Sequence, residues 1–229
     1  MSGAPPPETV IYVHGLWSPR ADSLLLQARL RRAFNFDVRT FRYPTVSRSM
    51  GEVLELLAGF AAGLRPRVLH FVGHSLGGLV IYRFLERFPQ QPPGRVVFLG
   101  TPSVRCGAAV GLARLRWGAA LLGKCVAEEF LVERERRWTQ ARPLGIIAGS
   151  RAFGLGHLVA RIRGENDGTI GVSETRLPGA TEHITVRASH TGMLFSARVA
   201  HQTGTFLRSG HFAASSDPDA SPSSSARSS

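Results

Sequence analysis

The sequence predicts an α/β fold, a mostly parallel central sheet with helices on both faces. Three observations predict it. Short β-branched or aromatic runs alternate with longer segments of helical spacing from Val10 to Leu207. The short runs are apolar throughout, as strands covered on both faces are. The alternation of strand and helix is sustained along the chain, which is the signature of a layered parallel sheet. Right-handed crossovers then bring the strand C-termini to one edge, where ligands bind in such sheets.

The elements follow in order. Val10 to Val13 reads as the first strand and ends in the turn His14-Gly15-Leu16-Trp17. Asp22 or Ser23 can cap a helix running to about Phe34. Phe36 to Tyr43 is a second strand, stopped by Pro44. Ser49 and Glu52 have the spacing of a capping box. Behind them Val53, Leu56, Leu57, Phe60 and Leu64 recur at helical spacing and predict one buried face. Arg67 to Val72 is the third strand, and a helix from Gly78 to Phe88 ends at Pro89. Val96 to Leu99, Leu144 to Ala148 and Ile184 to Val186 complete the strands, and a last helix runs from about Thr191 to Leu207. No internal repeat is present.

Composition sets the bounds. With 229 residues, 43% apolar and 19% charged, the chain suits one domain and can bury a core without metal or disulfide support. No apolar run approaches the roughly 18 residues of a membrane helix. Cys106 and Cys125 are too few for a disulfide framework, lack zinc spacing, and are expected to be reduced. Met1 to Glu8 has neither a basic nor an apolar segment, so a secretory signal is not expected and a cytoplasmic location is. Residues 1–8 are expected to form a flexible leader, 9–208 the domain, and 209–229, rich in Ser, Ala, Pro and Asp, a disordered tail.

The formal net charge is +12. Nearly all of the basic residues are arginine, Lys124 being the only lysine, and they are scattered from Arg20 to Arg227. Nothing gathers them into a stripe, so nucleic acid is not the expected partner. Weak, salt-sensitive attraction to acidic or membrane surfaces is compatible with this charge.

Chemistry enters at Gly73-His74-Ser75-Leu76-Gly77, which fits G-x-S-x-G with a strand before it and a helix after it. That context is the one a nucleophile elbow requires. A serine hydroxyl needs a base, and the base needs an orienting carboxylate. His190 follows the last strand, where a loop can reach Ser75 at the sheet edge, and it is the preferred base over His157, His183 and His201. Asp167, in the turn-rich Glu165-Asn166-Asp167-Gly168-Thr169, is the preferred acid; Glu165 and Glu174 are the alternatives. The backbone N–H groups of Leu76 and Leu16 are the expected oxyanion donors. His14, Trp17 and His74, from the same two turns, are candidates for contacting substrate, although His14 can equally organise its own loop.

These motifs together resemble the α/β-hydrolase superfamily. The carriers are His14-Gly15, Gly73 to Gly78, Asp167-Gly168-Thr169 and Ser189-His190-Thr191-Gly192-Met193-Leu194. Within it the chain resembles small bacterial lipases and esterases and hydrolases similar to GPI-inositol deacylase. The resemblance implies a serine hydrolase of small-molecule or lipid carboxylic esters, needing no metal or organic cofactor. The segment 105–142 replaces a short connection of the smallest members and is read as helices closing the sheet or as a small cap. Phe153, Leu155 and Leu158 are candidate pocket-lining residues. Acyl transfer on the same triad, or a non-catalytic binding role for the fold, are the competing functions.

Overall fold

The apolar runs pair into one all-parallel, six-stranded sheet. The computed structural model describes residues 7–16, 18, 22–103, 135–153 and 164–214. Its strands are β1 (Thr9–Val13), β2 (Asp37–Phe41), β3 (Leu69–His74), β4 (Val96–Leu99), β5 (Leu144–Gly149) and β6 (Glu182–Val186). Its helices are α1 (Leu24–Phe34), α2 (Met50–Leu64), α3 (Leu76–Arg87) and α4 (Ala197–Ser209). The strand order is β2-β1-β3-β4-β5-β6. The chain first steps from β1 outward to β2, then returns to the other side of β1 and continues through β3. The order therefore reverses between β1 and β3, and a crevice opens above such a reversal.

Side chains alternate between the faces of each strand, and each face has its own core. Ile11, Val13, Phe71 and Phe98 pack with Val53, Leu57, Leu79 and Phe84 of α2 and α3. Val10, Tyr12, Val72 and Val97 pack with Leu26 and Leu30 of α1 and Val199, Phe206 and Leu207 of α4. Both faces being covered explains why the strands read as unbroken apolar runs.

The structure corrects several boundaries. β3 extends through Gly73 and His74, which pair with Phe98 and Leu99, and α3 starts at Leu76 rather than Gly78. The turn between them is thus a single residue. β6 begins at Glu182; its polar Glu182 and His183 hid the start of this edge strand. The last helix is broken at Ser196, after a 3₁₀ turn over Gly192–Phe195; Ser196 Oγ accepts the Val199 N–H at 3.3 Å and starts α4 afresh. The buried stripe of α2 is Met50, Val53, Leu54, Leu57 and Ala61, whereas Leu56 is 46% exposed.

Both ends of the domain are tied further than the sequence suggests. Glu8, placed in the leader, accepts the Asp37 N–H at 2.9 Å through its carbonyl. Its carboxylate meets His70 Nε2 at 3.0 Å and Arg208 at 2.8 Å. Beyond α4, His211 Nδ1 and Phe212 N–H bind the Glu182 carboxylate, each at 2.7 Å, and the Phe212 ring lies on Phe206. The ordered chain therefore passes 209. The segment 105–134, with Cys106 and Cys125, and residues 215–229 lie outside the described residues.

The capping box is formed. Ser49 Oγ accepts the Glu52 N–H at 3.3 Å, and the Glu52 carboxylate accepts the Ser49 N–H at 2.9 Å. Ser49→Ala is expected to lower stability by about 1 kcal/mol, read as a reduced urea midpoint with an unchanged slope.

Candidate active site

Val13 lies beside Gly73 across the β1–β3 pair. The loops leaving these two strands therefore meet at the reversal of strand order. Ser75 N–H still bonds the Leu99 carbonyl at 2.9 Å, and the Ser75 carbonyl accepts the Gly78 N–H at 3.1 Å. Between these bonds the chain reverses at φ 54° and ψ −124°. A non-glycine residue in such a conformation costs of order 1–3 kcal/mol and persists only where the surroundings enforce it. Here they do. A Cβ on Gly73 would lie 2.6 Å from Gly78 N, and one on Gly77 would overlap the Val13 carbonyl. The serine is half-buried at the mouth of the crevice.

His190 and Asp167 arrive from the far side of the sheet. His190 Nδ1 donates to Asp167 Oδ2 at 2.7 Å, and His190 N–H donates to the Asp167 carbonyl at 2.9 Å. The other carboxylate oxygen accepts the Thr169 and Ile170 N–H groups at 2.9 and 2.7 Å. Asn166 Oδ1 accepts the Gly168 N–H at 3.0 Å, closing the same loop. Asp167 is 1% exposed, and its oxygens are all engaged. Because a carboxylate only accepts, His190 donates to it from Nδ1 and leaves Nε2 as the ring nitrogen free to meet another group. Gly100 stands directly behind this pair: a Cβ there would lie 3.1 Å from both Asp167 Oδ2 and His190 Nδ1, and 2.7 Å from Met193 Cε. In the sequence Gly100 simply follows the strand that ends at Leu99. Its φ of 54° and this close approach give it a role in admitting the acid–base pair.

The other candidates fall elsewhere. Glu174 bonds the Gly171 N–H at 2.8 Å, within its own loop, and Glu165 is exposed. His183 meets Thr175 Oγ1 at 2.8 Å, and His201 is exposed on α4. His157 and Trp17 lie outside the described residues. Leu16 is half-buried in the first loop and Leu76 opens α3, so the Leu76 N–H has no partner within its helix.

His14 and His74 are both buried and bonded to backbone, the arrangement expected of His14 as an organiser of its own loop. His14 Nδ1 donates to the Gly15 carbonyl at 2.8 Å, its Nε2 accepts the Tyr43 N–H at 3.4 Å, and its ring stacks on Tyr43 at 4.6 Å. His74 Nε2 donates to the His190 carbonyl at 3.0 Å, and the two rings lie 4.7 Å apart. The residue before the serine thus holds up the backbone of the histidine loop. Its Nδ1 is buried without a hydrogen-bond partner among the described residues.

A model of the alpha/beta hydrolase family matches residues 10–220. The chain belongs to that family. This α/β-hydrolase also resembles solved structures at low identity. One is the Vlm2 thioesterase domain, at 13% identity over 90% of this chain and 94% of that one, with a TM-score of 0.61. A meta-cleavage product hydrolase from Pseudomonas fluorescens IP01 aligns at 16% identity over 89% and 92%, with a TM-score of 0.60. The type II thioesterase BorB from the borrelidin biosynthetic cluster aligns at 17% over 91% and 94%, with a TM-score of 0.59. These likenesses speak to the fold. No curated protein matches the sequence. Family membership supports hydrolysis as the class of activity. Among the described residues no helix is long and apolar enough to cross a membrane, and no group of His, Cys, Asp and Glu could hold a metal.

Burial also sets the acid tolerance of this α/β-hydrolase. It pushes His74 down to about 3, helped by the neighbouring His190 ring. It pushes His70 and His183 down to about 4 against the ordinary 6.5. Each stays neutral in the folded chain and takes up a proton more readily when unfolded. Stability is then whole above about 6.5 and is lost as pH falls toward 4 and below. The urea midpoint is expected to be lower at pH 5 than at pH 7, with a shallower dependence in His183→Gln.

Proposed function

We propose that this α/β-hydrolase cleaves carboxylic esters, as an esterase or lipase, through an acyl-enzyme on Ser75. The observation that carries the reading is the Asp167–His190 hydrogen bond of 2.7 Å at the same sheet edge as the elbow. The close approach of the first loop adds to it, since a Cβ on Gly15 would lie 3.0 Å from Ser75 Cβ.

In this mechanism Ser75 Oγ attacks the ester carbonyl carbon while its proton passes to His190 Nε2. The carbonyl π electrons move to oxygen, and the N–H groups of Leu16 and Leu76 receive that charge. The tetrahedral adduct collapses, the alkoxide leaves, and His190 returns the proton to it. Water then gives a proton to Nε2 and attacks the acyl carbon. The second adduct collapses to the acid, and Ser75 Oγ recovers the proton. Asp167 orients the ring and stabilises the imidazolium without taking the proton. Every step uses groups of this chain and water.

A thioester presents the same carbonyl, and two of the similar solved structures are thioesterases. Thioester hydrolysis is therefore the second reading. Matched oxygen esters and thioesters of one acyl chain separate the two.

p-Nitrophenyl esters from acetyl to palmitoyl test the proposal and give the preferred acyl length. Ser75→Ala and His190→Ala are each expected to lower kcat by about 10⁴-fold or more, and the double variant by no more than either alone. A fluorophosphonate should label the peptide containing Ser75. Turnover that survives Ser75→Ala in folded protein would overturn the assignment. Activity should fall on acidification, because His190 must be neutral to accept a proton; a flat profile from about pH 5 to 8 speaks against a histidine base.

A further inference from the structure

Beside the His190 loop lies a cavity of about 280 Å³ whose lining includes Arg151, Phe153, Arg187, Ser189 and Ser196. The backbone explains why two arginines share it. Ser150 N–H bonds the Val186 carbonyl at 3.0 Å, and Arg151 N–H bonds the Ala188 carbonyl at 3.2 Å. The chain leaving β5 therefore runs alongside the chain leaving β6, and Arg151 and Arg187 stand together at the C-terminal edge of the sheet, on the side of Ser75. Both are exposed, and neither makes an ion pair among the described residues.

Among the described residues no carboxylate lines the cavity. Asp167 spends its oxygens on His190 and on the Thr169 and Ile170 N–H groups. Two arginines lining one concave surface make it electropositive, and an anion there would be attracted to both. Ser196 adds the start of α4, whose dipole favours negative charge in the same place. Phe153, 77% exposed, gives the cavity one apolar wall. Ser189, in the lining, immediately precedes His190, so the cavity borders the loop that carries the base.

We infer that this cavity is a substrate subsite for an anionic group, a carboxylate or a phosphate, attached to the ester whose carbonyl meets Ser75. The inference rests on the ester-hydrolase reading. Arg151 and Arg187 grip the anion, and Phe153 covers the carbon chain that joins it to the scissile bond. The subsite selects acidic amphiphiles over neutral esters of the same size. It also gives a local use to part of the +12 net charge.

Two matched pairs of probes test it at low salt. Mono-p-nitrophenyl glutarate against p-nitrophenyl pentanoate places a carboxylate on the acyl side. 2-(Phosphonooxy)ethyl butyrate against 2-hydroxyethyl butyrate places a phosphate on the alcohol side. In one pair the anionic member is expected to exceed its neutral partner about tenfold or more in kcat/KM. In the double variant Arg151→Gln, Arg187→Gln the ratio should fall to about one. Arg151→Lys with Arg187→Lys should keep part of it, and added salt should shrink it. A melting curve establishes that each variant is folded. A ratio near one in both pairs for the parent protein, or a ratio that survives the double substitution, overturns the subsite. Those results leave the hydrolase reading standing as long as turnover depends on Ser75. Turnover of both members that is indifferent to Ser75→Ala instead overturns the hydrolase reading, and the subsite with it.

Discussion

Between the last strand residue, His74, and the first helical residue, Leu76, the chain has one residue in which to reverse, and it does so with Ser75 at φ 54°. That residue is held from both directions. Upstream, β3 keeps its ladder with β4 as far as the Ser75 N–H. Downstream, α3 begins at once and buries Leu79, Val80, Ile81 and Phe84. The turn cannot relax without moving the central strand or the most buried helix. A local cost of a few kcal/mol is thereby offset by packing that the fold makes anyway. The absence of side chains at Gly73, Gly77 and Gly78 is the steric condition for it, since added Cβ atoms would meet backbone or the Thr101 side chain. The rest of the site is arranged around that fixed hydroxyl.

Much of this was legible in the chain. Strands covered on both faces lose polar alternation, and the unbroken runs at Val10 to Val13 and Val96 to Leu99 showed as much. The pairing of Asp167 with His190 was also readable, because a turn-rich acidic loop and a post-strand histidine are where a parallel sheet delivers such groups. Register was harder. The buried stripe of α2 contains Leu54 and Ala61 and leaves out Leu56, a distinction that periodicity blurs when most of the helix is apolar. The single-residue elbow was read as a longer turn because Gly73 and Gly77 look like loop residues. They sit in regular structure because only there do strand and helix come close enough to exclude a Cβ.

Side-chain orientation was the least legible part. His14 and His74 stand in motif turns and invite a substrate-contacting role, yet both rings point inward to backbone carbonyls. The reason lies in hydrogen-bond accounting. Loops that converge on a sheet edge carry unpaired carbonyls, and a neutral imidazole can satisfy one, while burial of the ring lowers its basicity. His74 does this for His190, so the serine turn and the histidine loop brace each other through neighbouring side chains. Gly100 shows the complementary case, in which the absence of a side chain makes room for the acid and base.

The order in which the pieces appear along the chain has a further bearing on how the protein comes to exist. One face of the sheet is closed by α1 together with α4, and α4 supplies Val199, Phe206 and Leu207 to that core. Glu8, at the first strand, reaches Arg208 at the close of α4. All six strands therefore leave the ribosome before α4 covers this oily surface. Apolar surface left open until α4 emerges is aggregation-prone. His190 precedes that helix by only a few residues, so the Asp167–His190 pair and the burial of this face are completed close together in synthesis.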